Sequence, residues 1–205
     1  MLSVHGLRTK AGGPVDFAFR GGEIIAVRGP SGSGKSLMLR AIADLDPAEG
    51  EISLNGTKRA RIPAPEWRRR VAFVPAESGW WDDRVGAHFP AGGGPEGSRV
   101  TALIEALGLD PAALDWEVRR LSTGERHRLA IARALVLDPG VWLFDEPTAA
   151  LDAEAARRVE AVIMQGRERG AAILLVTHDD AQAARLADRT LTMAAGRLTA
   201  PEGAA

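Results

Sequence analysis

Gly29-Pro30-Ser31-Gly32-Ser33-Gly34-Lys35-Ser36 decides how the rest of the chain is read. It satisfies every fixed position of G-x-x-x-x-G-K-[ST], the loop that wraps the phosphates of a nucleoside triphosphate. Before it, Glu23 to Arg28 (EIIAVR) has the apolar run of a buried strand, and after it Leu37 to Ala43 reads as a helix. The loop therefore sits between a strand and a helix N-terminus. Gly32 and Gly34 let the backbone close on the oxygens so that successive N–H groups point inward, and the helix dipole favours the negative charge. In this pattern Lys35 reaches the β- and γ-phosphates and the Ser36 hydroxyl ligates Mg²⁺.

Composition sets the frame around that loop. At 205 residues the chain is long enough for one large α/β domain, with 45% hydrophobic and 26% charged residues, as in a folded protein. The net charge of −1 gives no reason to expect a nucleic-acid partner. Cysteine is absent, which excludes disulfides, thiolate nucleophiles and Cys-based metal sites. The start, Met1-Leu2-Ser3-Val4-His5, has no basic segment followed by an apolar run, and no stretch approaches the ~20 apolar residues of a membrane helix. The expectation is a cytoplasmic protein.

Along the chain, Leu2 to Val4 and Val15 to Phe19 read as short strands around the turn Ala11-Gly12-Gly13-Pro14, forming an antiparallel edge. Glu51 to Asn55 and Val71 to Val74 read as further strands. From Ala76 the character becomes helical. Ala91-Gly92-Gly93-Gly94-Pro95 reads as a flexible break, and Val100, Leu103, Ile104 and Leu107 share one helical face. A helix from Gly124 to about Leu137 packs Leu129, Ile131, Ala132, Leu135 and Val136, with Arg126, Arg128 and Arg133 expected to be more exposed. Val141 to Phe144 (VWLF) reads as a central parallel strand. Helices capped by Asp152 and Asp179 flank the strand Ala171 to Val176. Arg189 to Met193 and Arg197 to Thr199 are the last strands, and Pro201 to Ala205 is expected to fray.

Working residues of such sheets collect at the carboxyl ends of the strands. The strand at Val141 delivers Asp145 and Glu146, and the strand at Ala171 delivers His178. Asp145 suits a Mg²⁺ site shared with Ser36, and Glu146 suits activation of the attacking water, since phosphoryl transfer to water needs both.

LSTGE at Leu121 to Glu125, LFDEPTAALD at Leu143 to Asp152 and VTHD at Val176 to Asp179 complete the pattern. Together with the phosphate loop they resemble the ATP-binding subunit of an ABC transporter, in the family's order and over nearly the whole chain. The resemblance implies a P-loop ATPase core of mostly parallel sheet, an N-terminal antiparallel β edge and a small helical subdomain at about residues 76–137, all in one domain spanning 1–205. It also implies a head-to-tail homodimer, or an equivalent second ATP-binding domain, with each ATP held on the phosphate loop of one subunit under LSTGE of the other. Ser122, Gly124 and Glu125 would then face the nucleotide from across the interface. Asp152 belongs to the loop Ala150-Leu151-Asp152 that links the two sites, and His178 is the residue that contacts the γ-phosphate. The implied partner is a transmembrane permease, with the chain peripheral on the inner face of the membrane.

The chain departs from the family pattern in two places. Ala76 follows Val74-Pro75 where the family has Gln, so either Glu77 or a water takes that role. Arg8-Thr9-Lys10-Ala11 stands where the family stacks an aromatic ring on adenine, so affinity should rest on the phosphates. Beyond Ala76, Ser78-Gly79-Trp80-Trp81-Asp82-Asp83 lies where the family receives the membrane subunit. The Trp pair reads either as an interface anchor or as a cap on the helical subdomain. Two other functions share these motifs. An ABC-type ATPase acting on DNA, ribosomes or another soluble partner is disfavoured by the lack of coiled-coil insertions or basic arms. A low-turnover regulatory subunit, motivated by Ala76, is disfavoured by Glu146 and His178.

Overall fold

A computed structural model describes residues 1–90 and 95–199. The glycine break expected at Ala91 to Pro95, apart from Pro95 with which a helix begins, and the tail expected from Pro201 to Ala205 lie outside the described residues.

The chain opens with β1 (Leu2–Thr9), β2 (Gly12–Phe19) and β3 (Ile24–Arg28), followed by α1 (Lys35–Ile42). Then come β4 (Glu49–Leu54), β5 (Thr57–Lys58), α2 (Ala64–Arg70) and β6 (Val71–Val74). The middle is helical, with α3 (Pro95–Ala106), α4 (Thr123–Leu135) and short 3-10 turns at Val85–His88, Pro111–Asp115 and Val118–Arg120. Alternation then returns as β7 (Val141–Asp145), α5 (Ala153–Glu168), β8 (Ala172–Val176), α6 (Asp180–Leu186), β9 (Arg189–Ala194) and β10 (Arg197–Thr199).

Two sheets result. An antiparallel sheet runs β2-β1-β4-β5, and a mostly parallel sheet runs β10-β9-β3-β8-β7-β6. In the parallel sheet β3, β7 and β8 are apolar at nearly every position because both faces are covered. Ile24, Trp142, Phe144, Ile173 and Leu175 point into a core shared with α3, α4 and α5. Ile25, Val27, Val141, Leu143, Leu174 and Val176 point the other way, into a core shared with α1 and the antiparallel sheet. Each fully buried aliphatic side chain contributes roughly 1.5–3 kcal/mol. The double layer therefore holds the carboxyl ends of β3, β7 and β8 rigidly side by side.

Three details differ from the sequence reading. The first hairpin is longer, with β1 running to Thr9. The helix α2 was not foreseen; it is anchored by Trp67, fully buried, whose Nε1 donates to the Ile42 carbonyl at 2.9 Å. Arg133, expected on the exposed face of α4, is half-buried, with its guanidinium over both Trp80 and Trp81, 4.9 and 4.8 Å from the ring centroids. The Trp pair divides its roles: Trp80 packs against the core, while Trp81 stays 72% exposed.

Candidate functional site

The phosphate loop leaves β3 at Gly29 and enters α1 at Lys35. Glycine is required by contact as well as by backbone conformation. At Gly29 (φ 145) a Cβ would lie 2.0 Å from the Met193 carbonyl oxygen, and at Gly34 (φ 105) it would lie 2.6 Å from the Ala11 Cβ. Lys35 is buried and its Nζ donates to the carbonyls of Gly29 (2.8 Å) and Pro30 (2.9 Å). Burial lowers the pKa of that ammonium, against the opposing pull of Glu146 and Asp145. The Ser33 hydroxyl is buried without a hydrogen-bond partner among the described residues. A hydroxyl in want of a partner and a lysine resting on its own loop fit a cradle for phosphate oxygens.

β7 ends at Asp145, which is buried. Burial pushes its carboxyl above the ordinary range, and a hydrogen bond from Ser36 acts in the opposite direction. A buried carboxylate beside a hydroxyl suits a hard divalent cation. Among the described residues no group of three or more His, Asp or Glu could hold a metal ion by itself. Ser36 and Asp145 would therefore leave most positions around Mg²⁺ to phosphate oxygens and water, as that ion prefers.

Glu146, next along, adopts left-handed backbone (φ 52), a conformation that costs a non-glycine residue roughly 1–3 kcal/mol and is usual at functional sites. Its N–H donates to the Val176 carbonyl at 3.0 Å, extending the pairing of β7 with β8 past Asp145. This aims the side chain at His178, whose Nε2 lies 3.1 Å from Glu146 Oε1. Ser31, Gly32, Gly34, Lys35, Ser36, Glu146 and His178 line a single open cleft of about 260 Å³. The structure thus brings together residues from three strand ends.

Two side chains missed by the sequence reading hold the loop after Glu146 in place. His127 of α4, buried, has Nε2 2.9 Å from the Pro147 carbonyl. Gln182 of α6, also buried, donates from Nε2 to Thr148 Oγ1 (2.8 Å) and Glu160 Oε1 (3.0 Å).

Ser122, Gly124, Glu125 and Asp152 do not line the cleft; they form a second cluster. Ser122 caps α4 in a reciprocal capping box. Its Oγ accepts from the Glu125 N–H (3.2 Å), while Glu125 Oε2 accepts from the Ser122 N–H and Oγ–H (both 2.8 Å). These bonds hold the Glu125 carboxyl below its ordinary pKa. A Cβ on Gly124 would meet the Leu151 side chain at 3.3 Å, so this cluster packs on the loop that Asp152 closes. Asp152 caps α5, accepting from the N–H groups of Glu154 and Ala155. Ala76 and Glu77 follow β6 and are both exposed. Arg8, Thr9, Lys10 and Gly12 border a separate open pocket with no aromatic side chain in its lining.

Residues 13–149 match a family model described as ABC transporter. The aliphatic sulfonates import ATP-binding protein of Paracoccus denitrificans is 38% identical over 203 residues, covering 95% of this chain and 78% of that protein. An Fe(3+) ions import ATP-binding protein of Streptomyces avermitilis is 36% identical over 213 residues, covering 97% of this chain and 61% of that protein. Among solved structures, a dimeric ATP-binding cassette in a post-hydrolysis state with ADP and Pi is similar in fold, with a TM-score of 0.84 and 26% identity, covering 97% of this chain and 96% of that one.

Proposed function

The chain belongs to the ABC transporter family of ATP-binding proteins, and from that premise we propose that it hydrolyses ATP at a composite interface and drives a membrane partner. The observation that carries this reading is the strained Glu146 at the rim of the phosphate-loop cleft, held 3.1 Å from His178. Lys35 turns from its two backbone carbonyls to the β- and γ-phosphates. Glu146 takes a proton from the attacking water as its oxygen bonds to the γ-phosphorus and the bond to the β,γ-bridging oxygen breaks. His178 orients the Glu146 carboxylate and faces the γ-phosphate. Ser36 and Asp145 would hold Mg²⁺, which would supply positive charge to offset that of the phosphates.

Ser122 and Gly124, with Glu125 and Asp152, lie outside the cleft of their own chain, which supports their serving a second copy in a head-to-tail dimer. The 1–205 stretch is taken as one unit, with residues 76–137 as its helical part. The membrane partner is a permease subunit, and the chain sits peripherally on the inner face of the membrane. No helix among the described residues is long and apolar enough to cross a membrane. Both relatives described above are named as import proteins, which favours import. The permease's place is the groove beside Trp81, between β6 and α4.

The test is Glu146→Gln. The amide keeps the shape and loses the basicity, so ATP binding should persist while turnover falls roughly 10²–10⁴-fold. Size measurement with ATP and Mg²⁺ should then show a trapped dimer. Monomers only under those conditions would refute the composite site.

A further inference from the structure

A strained backbone persists only where the structure around it fixes it from several sides. Glu146, at φ 52, is held in this way. Its N–H donates to the Val176 carbonyl, and the Pro147 carbonyl meets His127 Nε2. A further hold acts on the Thr148 hydroxyl, and it comes from Gln182. Neither Thr148 nor Gln182 lines the phosphate-loop cleft, so whatever they do for the chemistry passes through Glu146.

Gln182 is 1% exposed, and its amide is used unevenly. Nε2 donates to Thr148 Oγ1 at 2.8 Å and to Glu160 Oε1 at 3.0 Å, while Oε1 is buried with no donor among the described residues. An unpaired buried carbonyl is unfavourable, so this orientation is imposed from outside the amide. The Glu160 carboxylate imposes it. With the amide turned over, its oxygen would face Glu160 Oε1 at the same 3.0 Å, acceptor against acceptor. Glu160 is itself enclosed, its side chain 13% exposed, and it is fixed from a second direction by Arg185, which donates from Nη2 to the same Oε1 at 2.8 Å. Arg185 lies three residues beyond Gln182, on the same face of α6. That helix starts directly after His178, at the cap Asp179, whose Oδ1 accepts the Gln182 N–H at 3.0 Å. The bonds linking Arg185, Glu160, Gln182 and Thr148 therefore tie the loop after Glu146 to the helix that leaves His178.

We propose that Gln182 is a positioning residue for ATP hydrolysis: oriented by Glu160, its amide pins Thr148 and so keeps the strained Glu146 carboxylate against His178 at the rim of the cleft. This rests on the reading of Glu146 as the base that activates water. A misplacement of about 1 Å costs up to about 100-fold in rate. Loss of the pin should therefore reach turnover, while nucleotide binding by the phosphate loop stays.

Gln182→Met keeps the length of the side chain and loses both donors. In the full chain it should lower kcat at least ~10-fold with KM for Mg-ATP changed less than ~3-fold, and Thr148→Val should do the same. The two losses should not add in the double variant, because each breaks the same bond. Gln182→Glu sets two carboxylates face to face and should lower kcat by as much. Adding Glu160→Gln puts a donor opposite the new carboxylate, and kcat should return to within ~3-fold of wild type, a rescue that a residue serving only to fill space would not show. If Gln182→Glu does not fold, the Met and Val variants decide. Amide hydrogen exchange reads the pin apart from turnover: in Gln182→Met, protection of the Glu146 and Leu151 N–H groups should fall at least ~10-fold while that of β7 and β8 is kept. Unchanged exchange at Glu146, loss of protection throughout β7 and β8, or turnover untouched by both Gln182→Met and Thr148→Val overturns the proposal. A Glu146→Gln chain that still hydrolyses ATP overturns the ATPase reading itself, and this proposal with it; a dead Glu146→Gln beside a fully active Gln182→Met overturns this proposal alone.

Discussion

Glu125→Gln separates what the capping box does for the fold from what it does at the interface. In the wild-type chain the carboxylate accepts two 2.8 Å hydrogen bonds from Ser122 and stands in the first turn of α4, where a negative charge meets the helix dipole. The amide keeps an oxygen acceptor and loses the charge, so the loss should be about 0.5–1 kcal/mol. For a chain of this size that lowers Tm by about 1–4 °C. The pH dependence has a definite sign. Because these bonds depress the folded-state pKa, the stabilisation is complete above the unfolded glutamate pKa of about 4.3 and is lost as pH falls through the lower folded value. The Tm gap between the two chains should therefore be full at pH 7 and close in strong acid. Dimerisation should move the other way. A carboxylate within about 8 Å of the γ-phosphate costs roughly 0.5–2 kcal/mol at an effective dielectric of 80 to 20. In the Glu146→Gln background, Glu125→Gln should tighten the ATP-bound dimer about 2- to 30-fold per site, read by sedimentation equilibrium. An unchanged dimer constant together with an unchanged Tm would refute both halves of the reasoning.

Three other substitutions have defined outcomes. Lys35→Ala should weaken Mg-ATP binding at least ~100-fold by calorimetry, because the cleft loses its lysine point charge, with Tm little changed since a buried ammonium is removed along with its two carbonyl bonds. Asp145→Asn should stabilise the nucleotide-free chain by about 1 kcal/mol, roughly 2–4 °C in Tm, since it discharges a buried carboxyl, and should abolish Mg²⁺-dependent turnover. Ala76→Gln should strengthen ATP-driven dimerisation with stability unchanged to within ~0.5 kcal/mol, as expected at an exposed position; if Glu77→Ala alone stops turnover, Glu77 holds that role instead.

The strand ends were legible because β3, β7 and β8 are buried on both faces, which writes them as continuous apolar runs punctuated by Gly29, Asp145 and Thr177. The helix α2 left no such mark, since Trp67 is its one buried side chain and three consecutive arginines, Arg68 to Arg70, carry no apolar period. The pairing of Trp80 with Trp81 could not be resolved into inward and outward members, because a loop has no period. His88 orders it: its ring sits 4.7 and 4.3 Å from the two indole centroids, and its Nε2 accepts the N–H groups of Trp81 and Asp82. For Arg133 a signal existed and charge outweighed it. The residue lies four after Leu129 and three before Val136, both buried, so helical spacing places it on the packed face. His127 is the same case, in line with Ile131 and Leu135. The positive φ of Glu146 is not written in its residue identity, since tertiary context sets it, whereas the reciprocal bonds of Ser122 are local and follow from the S-x-x-E spacing of Ser122 and Glu125.

What the fold adds to the motifs is the placement of three functions on one rigid helix. α4 starts at the Ser122 cap, passes His127 under the Glu146 loop and reaches Arg133 at the groove. From Ser122 to Arg133 the distance along the axis is about 16 Å at 1.5 Å per residue. The buried row Leu129, Ile131, Ala132 and Leu135 ties the helix to the core beneath the parallel sheet. In the proposed dimer, a rotation of α4 as a body that carried Ser122 toward a nucleotide on the second copy would also move Arg133 and the Trp80–Trp81 loop against it. In that rotation the hydrogen bond between His127 Nε2 and the Pro147 carbonyl would be strained or carried along, which would couple the loop after Glu146 to the movement of α4.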